Sequence, residues 1–571
     1  MSAIRKRARL FLTALTATTV LTATAQTAEN ESLNRSVTVE KDYVPTGIDA
    51  NKINVVPEKE EFTPDKPVVT YSTWSKAEEV TATAGKIKSA RYRAESESDS
   101  RDGVFRAGLG AYWQVLGEFY YPLLQGDTYL LDINLQHHSN WGHVRYDEDY
   151  RPRAALHNTE AALTFENQFR DARLISAVDF SHNGFDYYGR PGTDSLTFSP
   201  DTALTKGRYT TAGASFNLFS TNSRKSFQYN FGLDYHYLGR DQDIHNNSLN
   251  FTAGIRQELN TGTLGLDFAA QSNFAGGDGL EERHRTGLFT VTPYYLLDND
   301  SWQLRIGGKF FGLASDSVNG RRKWPVAGGA DIHGLFGLVP DLFYLEAGIG
   351  SDMRDNNYAY ALRENRYITP GTALLPTYIP LDATLGAKIK VMEGFLFHVG
   401  ARYQLLLNEH YFVNHTDTLA GTATSTFDVL YGETTHHIGV EAGVHYDAVK
   451  GLNLGLTARY NHWGVKDGDM RWEHAWHKPN WEISFAGSYR FLEKWEVGLS
   501  YDFMGGRYAL VGNETHKMKP LNDLNVWVTY KALDWLSVFV NGKNLINVKG
   551  ESFYGYRNFG INGMAGVTMT F

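Results

Sequence analysis

The chain has 571 residues, no cysteine, 13% aromatic residues and 55 glycines, with a mean hydropathy of -0.37. The lack of cysteine excludes disulfides, thiolate metal sites and an acylated lipoprotein N-terminus, and beyond the first residues no apolar run of roughly 18 residues offers a helical membrane span. Arg5, Lys6, Arg7 and Arg9 fall in a leader; without them the 55 basic residues drop by four against 64 acidic ones, and so acidic a chain is a poor partner for nucleic acid.

Residues 1–25 read as a signal peptide, with a basic start, an apolar stretch from Leu10 to Thr22 and the small residues Ala23, Thr24 and Ala25 before Gln26. Residues 26–101 are polar and charged, punctuated by Pro45, Pro57, Pro64 and Pro67. Such a segment buries too little apolar surface to offset its ordering entropy, which predicts an extended periplasmic arm. Two stretches in it, 36–44 and 67–73, have the composition of strands that add to a partner's sheet, the second centred on Val68, Val69, Thr70 and Tyr71. Plain linker explains them as well.

From 102 to 571 apolar and polar residues alternate, segment after segment. Tyr129, Leu131, Ile133 and Leu135 point one way while Asp132, Asn134 and Gln136 point the other; Trp302, Leu304, Ile306 and Phe310 oppose Gln303, Arg305 and Lys309. A soluble sandwich shows the same alternation. Three features favour a barrel in a membrane: segment lengths near the 9 to 11 residues of a tilted crossing, aromatic residues at the ends of the apolar rows, and tight turns that alternate with long loops. The tight turns fall at 125–127, 170–172, 221–225, 260–262, 298–300, 340–341, 392–394, 450–451, 493–494 and 532–534. Each joins two strands, and one more strand at either end predicts an all-β, antiparallel transmembrane barrel of about 22 strands. The longer connections, among them 140–152, 184–206, 353–371, 461–478 and 505–519, then lie outside the cell. The last strand carries Val567, Met569 and Phe571 on one face, an ending of the kind read by the outer-membrane assembly machinery.

The two ends of this region resemble TonB-dependent receptors. Residues 106–140 (RAGLGAYWQVLGEFYYPLLQGDTYLLDINLQHHSN) look like their opening strands, and 535–571, with Asn541-Gly542-Lys543-Asn544-Leu545 and a final strand to Phe571, is similar to their last hairpin. The resemblance implies a Gram-negative outer-membrane location, surrounding outer-membrane lipids, ligand binding or transport, and a TonB-type energiser that grips a periplasmic strand. The departure is the plug: family members fill the lumen with a domain of well over a hundred residues, which 26–101 does not match. Inward-folded loops, the arm or another protein must then close the hole. The alternative is a barrel that does not transport and acts as a platform, docked by a lipoprotein or joined to an outer-membrane assembly complex.

No site signature stands out. The pairs His137-His138 and His436-His437 point to opposite faces of their strands and cannot chelate one ion. The loop at 461–478 gathers His462, Asp467, Asp469, Glu473, His474 and His477, for which a solvated loop is the simpler account than a metal site. Tyr187, Tyr188, Tyr358, Tyr360, Trp463, Trp472 and Trp476 sit in outer loops, where they either stack on a ligand or pack loop on loop. Lumen charges such as Asp132, Asp234, Asp267, Arg305, Lys309, Glu346, Arg490 and Asp502 either set selectivity or pair along the wall. With no nucleophile elbow or phosphate loop, the chain reads as a non-enzyme without cofactor.

Overall fold

The computed structural model describes residues 103–571 except 147–149, 192–196, 199–203, 223–225, 281–283, 300, 316–325, 373 and 418–421. The predicted signal peptide and arm, including Val68, Val69, Thr70 and Tyr71, lie outside the described residues.

The alternating segments form 22 long antiparallel strands, each paired with its neighbours in the chain. The last, Asn562–Thr570, pairs back on the first, Val104–Gly110, with Val104 opposite Thr570 and Gly110 opposite Met564. Gly103 donates its N–H to the Phe571 carbonyl at 2.8 Å and Phe571 donates to that of Gly103 at 3.0 Å. Closure leaves no edge, and in lipid an unpaired edge has no hydrogen-bonding partner. At this seam a Cβ on Gly110 would come within 2.6 Å of the Gly563 carbonyl oxygen, so only glycine lets the two strands approach.

The two faces of the wall separate as the alternation requires. Val178, Phe180, Leu233, Tyr235, Phe310, Leu385 and Val440 are exposed on the outside, while Asp132, Asp331 and Ser500 are enclosed on the inside. Apolar exposure on this scale exceeds what a water-facing surface retains, and the outer face is the lipid face of a transmembrane barrel. Aromatic residues gather at its turn end. Phe571 stacks on Tyr121 at 5.9 Å, and Trp495 packs against Tyr530 at 4.5 Å and Phe491 at 6.5 Å, as residues that straddle a headgroup boundary do. Inside, Arg305 reaches Asp331 at 2.6 Å and Asp267 at 3.1 Å, Arg490 reaches Glu496 at 3.0 Å, and Lys388 pairs with Glu346. Wall pairing therefore accounts for Asp267, Arg305, Glu346 and Arg490.

All ten predicted turns lie between consecutive strands, at one end of the barrel. The long connections all open at the other end. One boundary differs from the sequence reading, and one pair of strands is longer than a crossing needs. The strand Leu452–Asp467 runs six residues past the predicted loop start at Asn461: its pairing with the preceding strand continues to Lys466, with Trp463 and Val465 turned inward under the cap, out of phase with the outward row Leu454, Leu456 and Tyr460. The strands Phe395–Asp417 and Thr422–Tyr446, at 23 and 25 residues, extend far beyond a membrane crossing. Their outer halves had lost the alternation that marks the wall, since residues 409–414 are buried on both faces.

Candidate functional site

The extended hairpin is the framework of a cap over the barrel mouth. The strand Phe395–Asp417 pairs with the preceding strand Thr377–Met392 only as far as Leu407, opposite Tyr378. Beyond that level its ladder is with its own return strand, Glu409 opposite Gly432 and Asn414 opposite Phe427. Residues 408–417, at about 3.3 Å per residue, reach roughly 30 Å from the wall. Near the tip, Thr422 and Ala423 pair in parallel with Thr197 and Phe198, and the Ser425 hydroxyl donates to the Gly189 carbonyl at 2.7 Å. The hairpin joins the fifteenth and sixteenth strands and the 187–205 loop joins the fifth and sixth, ten strands away in a ring of 22. The hairpin therefore crosses the mouth.

An aromatic knot holds the cap together. Tyr556 is 1% exposed and stacks on Tyr367 at 3.7 Å, with Tyr188 at 4.9 Å and Phe427 at 5.9 Å. Its hydroxyl donates to the Ser425 carbonyl. Each of these four rings comes from a different connection or from the hairpin, and Val144, Phe185, Tyr187, Tyr358, Phe412 and Phe559 join the same buried cluster. Arg240 ties three of these segments, donating to the Tyr358 hydroxyl at 2.7 Å, the Ile368 carbonyl at 3.1 Å and the Tyr187 hydroxyl. Edge-to-face and offset ring contacts of this kind supply large apolar burial with defined geometry.

At the foot of the hairpin lies a charged cluster. Arg354 reaches Glu409 at 2.7 Å; Lys478 reaches Glu364 at 3.1 Å and Glu409 at 3.4 Å; His410 Nε2 is 2.6 Å from Glu364. Burial by itself would raise the Glu364 carboxyl, but the charges of Lys478 and His410 outweigh it and hold the group well below the usual carboxylate range. The same pairing holds Lys478 above its ordinary value despite burial. Asp355 has no cation: burial pushes it up to about 6, against hydrogen bonds from Thr286 at 2.9 Å and from Asn273. His477 is drawn down to about 3 by burial, and its Nδ1 sits 2.8 Å from the Phe412 carbonyl.

The predicted contact residues divide between packing and partial exposure. Tyr187, Tyr188 and Trp476 are buried within the cap, Tyr188 donating to the Arg557 carbonyl at 3.2 Å. Tyr360, Trp463 and Trp472 are partly exposed: Trp463 stacks on His437 at 3.7 Å and Trp472 meets Tyr411 at 5.2 Å. The structure does not bring together the histidines and acids of the 461–478 loop. His474 stacks on Tyr508 at 3.6 Å, His477 faces Phe412, and among the described residues no group of three ligating side chains is arranged for a metal ion. Tyr367, Phe427, Tyr556 and Arg240 were not singled out from sequence. The one signal available was the aromatic density of the stretch from Phe553 to Phe559.

No family model and no curated protein sequence matches the chain. Among solved structures it is similar to the FrpB iron transporter from Neisseria meningitidis, at 12% identity over 83% of this chain and 82% of that one, with a TM-score of 0.64. It is also similar to the ferric-catecholate import receptor Fiu from E. coli K12, at 12% identity over 83% and 82% with a TM-score of 0.60. A third is the siderophore receptor PirA from Acinetobacter baumannii, at 12% identity over 83% and 81% with a TM-score of 0.60. The likeness is one of fold.

Proposed function

We propose that this chain is a receptor of the Gram-negative outer membrane that takes a ligand at its mouth and admits it to the lumen when the loop cap opens. The observation that carries the reading is the cap, in which loops from opposite walls are bonded to one another over a ring of 22 strands. A ring of that size encloses a wide lumen, and a passive pore has no use for a cover built across it. Tyr360, Trp463 and Trp472 offer ring faces to the ligand, while Tyr187, Tyr188 and Trp476 hold the loops that present them. The fold likeness to an iron transporter and to ferric-catecholate and siderophore receptors makes ferric chelates the first ligand class to test. In this reading a TonB-type energiser engages Val68, Val69, Thr70 and Tyr71, and Val567, Met569 and Phe571 present the barrel to the assembly machinery.

The test is uptake of radiolabelled iron by cells that lack their own chelate receptors and express this protein, with a panel of ferric catecholates and hydroxamates. Saturable uptake above the empty vector, lost on deletion of residues 67–73, is the expected result. Free diffusion of small sugars through the purified protein in liposomes, with no saturable uptake of any chelate, refutes the reading.

A further inference from the structure

We infer that residues 408–417 and 422–433, paired as one ribbon, form a single hinged lid that turns at Asn408, and that Arg354, Glu409, Lys478 and Glu364 are the latch holding it shut. The purpose of such a lid rests on the receptor reading; the hinge and the latch stand on geometry alone.

The hairpin changes character at one level. Leu407 and Thr434 still belong to the wall, Leu407 paired with Tyr378 and Thr434 with Lys466. One residue further, Asn408 has no ladder partner and adopts φ of 58°, the left-handed region that asparagine tolerates better than most non-glycine residues. Beyond it the two strands hold to each other and leave their neighbours, apart from single bridges from Asn414 to Val511 and from Phe427 to Ile368 and the tip pairing at Thr422 and Ala423. A two-stranded ribbon that leaves a rigid wall at the left-handed Asn408, whose carbonyl accepts from the Thr377 hydroxyl at 3.1 Å, and at Glu433 on the return strand turns at that level as a body.

The latch lies immediately past that residue and joins the ribbon to both flanking loops. Glu409, next to Asn408, binds Arg354 on one side and Lys478 on the other, and Lys478 continues to Glu364 on the helix Tyr358–Glu364. The ion pairs and the aromatic knot hold the shut position together, and the lid opens when either is weakened.

The chain's lack of cysteine makes the test direct. Ala423 and Phe198 are bridge partners across the mouth, within the reach of a disulfide. In the full-length protein, the double variant Ala423→Cys, Phe198→Cys should cross-link rapidly under mild oxidant. Adding Glu409→Gln should slow that cross-linking at least tenfold, and Glu364→Gln should slow it as well. Paired spin labels placed singly at Asp417 and Gln242 should give one narrow distance in the parent and a second, distinct population in Glu409→Gln. Only the heat-modifiable, folded band is scored, and Tyr556→Phe serves as a second route to a loosened lid should a latch variant fail to fold. Equal cross-linking rates in the parent and every loosened variant, or label distances that broaden continuously without a second population, would overturn the hinge. No ligand enters these measurements, so absence of chelate uptake would remove the receptor reading and leave this one standing.

Discussion

Truncating Tyr556 should open the cap without unfolding the barrel. The side chain is buried against rings from three other segments of the chain, Tyr188, Tyr367 and Phe427, and its hydroxyl donates to the hairpin carbonyl of Ser425. Removing only the hydroxyl in Tyr556→Phe loses a bond worth about 1 kcal/mol, a shift of roughly fivefold in the opening equilibrium. Removing the ring in Tyr556→Ala costs about 3–5 kcal/mol in a packed site, which raises the open population roughly a hundredfold or more. Hydrogen exchange on the folded protein in detergent reads both: amides in residues 409–414 and 423–432 should exchange faster in that order of variants. Amides of the wall strand Leu536–Lys543 should be unaffected. If Tyr556→Ala leaves hairpin exchange unchanged, the ring is filler and the cap is held elsewhere; if the wall exchanges equally fast, cap and barrel are one cooperative unit and the reasoning fails.

Four further outcomes follow from the same geometry. Arg305→Met takes the nearest cation from Asp331, leaving it Lys309 at 3.9 Å and His333 at 3.3 Å, takes the guanidinium from Asp267, and removes a charge lying 3.5 Å from the Tyr294 ring; it should cost about 3 kcal/mol, read as a lower unfolding temperature of the detergent-solubilised barrel. An unchanged temperature would mean that Lys309, His333 and water, and not Arg305, satisfy those carboxylates. Asp355, raised to about 6 from 3.8 by burial, stabilises the cap fully below pH 4, and that contribution fades as pH rises through 6. The span corresponds to no more than about 3 kcal/mol; Asp355→Asn should abolish this loosening in pH-resolved exchange, and persistence of the same pH profile would assign it to another group. Glu364 works in the opposite sense. Its depressed carboxyl keeps the latch charged at neutral pH, and the latch is lost only in strong acid as pH falls through its folded value, so the ratio of cross-linking rates between the parent and Glu409→Gln should be flat between pH 5 and 8, since thiolate formation and Asp355 act on both proteins alike. Phe571→Ala, which removes the ring stacked on Tyr121, should lower the folded fraction in the outer membrane more than it lowers the stability of protein already inserted.

The wall was legible because a barrel writes its period into the chain. Polar or turn-forming residues such as Gly126, Asn260 and Gly451 interrupt rows that otherwise alternate without fail, and the ten turns gave the strand number directly. The same logic explains why the sequence leaves the long hairpin unassigned. Beyond Leu407 the hairpin is covered on both faces, Glu409 and His410 as fully as Tyr411 and Phe412, so its sequence loses the alternation that marks a strand in the wall. The cap was legible only as a collection of loop aromatics. Its contacts join residues as far apart in the chain as Tyr188 and Arg557, and no periodicity records which loops meet over the mouth. Trp463 shows the limit within a single element: the sequence placed it in a loop, whereas an additional turn's length of strand puts it on the inner face against His437.

The central claim, that these strands cross lipid with their apolar row outward and enclose a polar interior, is tested most directly by a spin-label scan along Phe395–Leu407. Single cysteines are introduced one at a time into the cysteine-free chain and the protein is reconstituted in vesicles. Labels at Phe397, Val399, Ala401 and Tyr403 should be relaxed by oxygen, which concentrates in lipid, and those at His398, Arg402 and Gln404 by a water-soluble nickel chelate, with a strict period of two. Relaxation by the nickel chelate at every position, or an alternation of the reverse phase, would contradict the account.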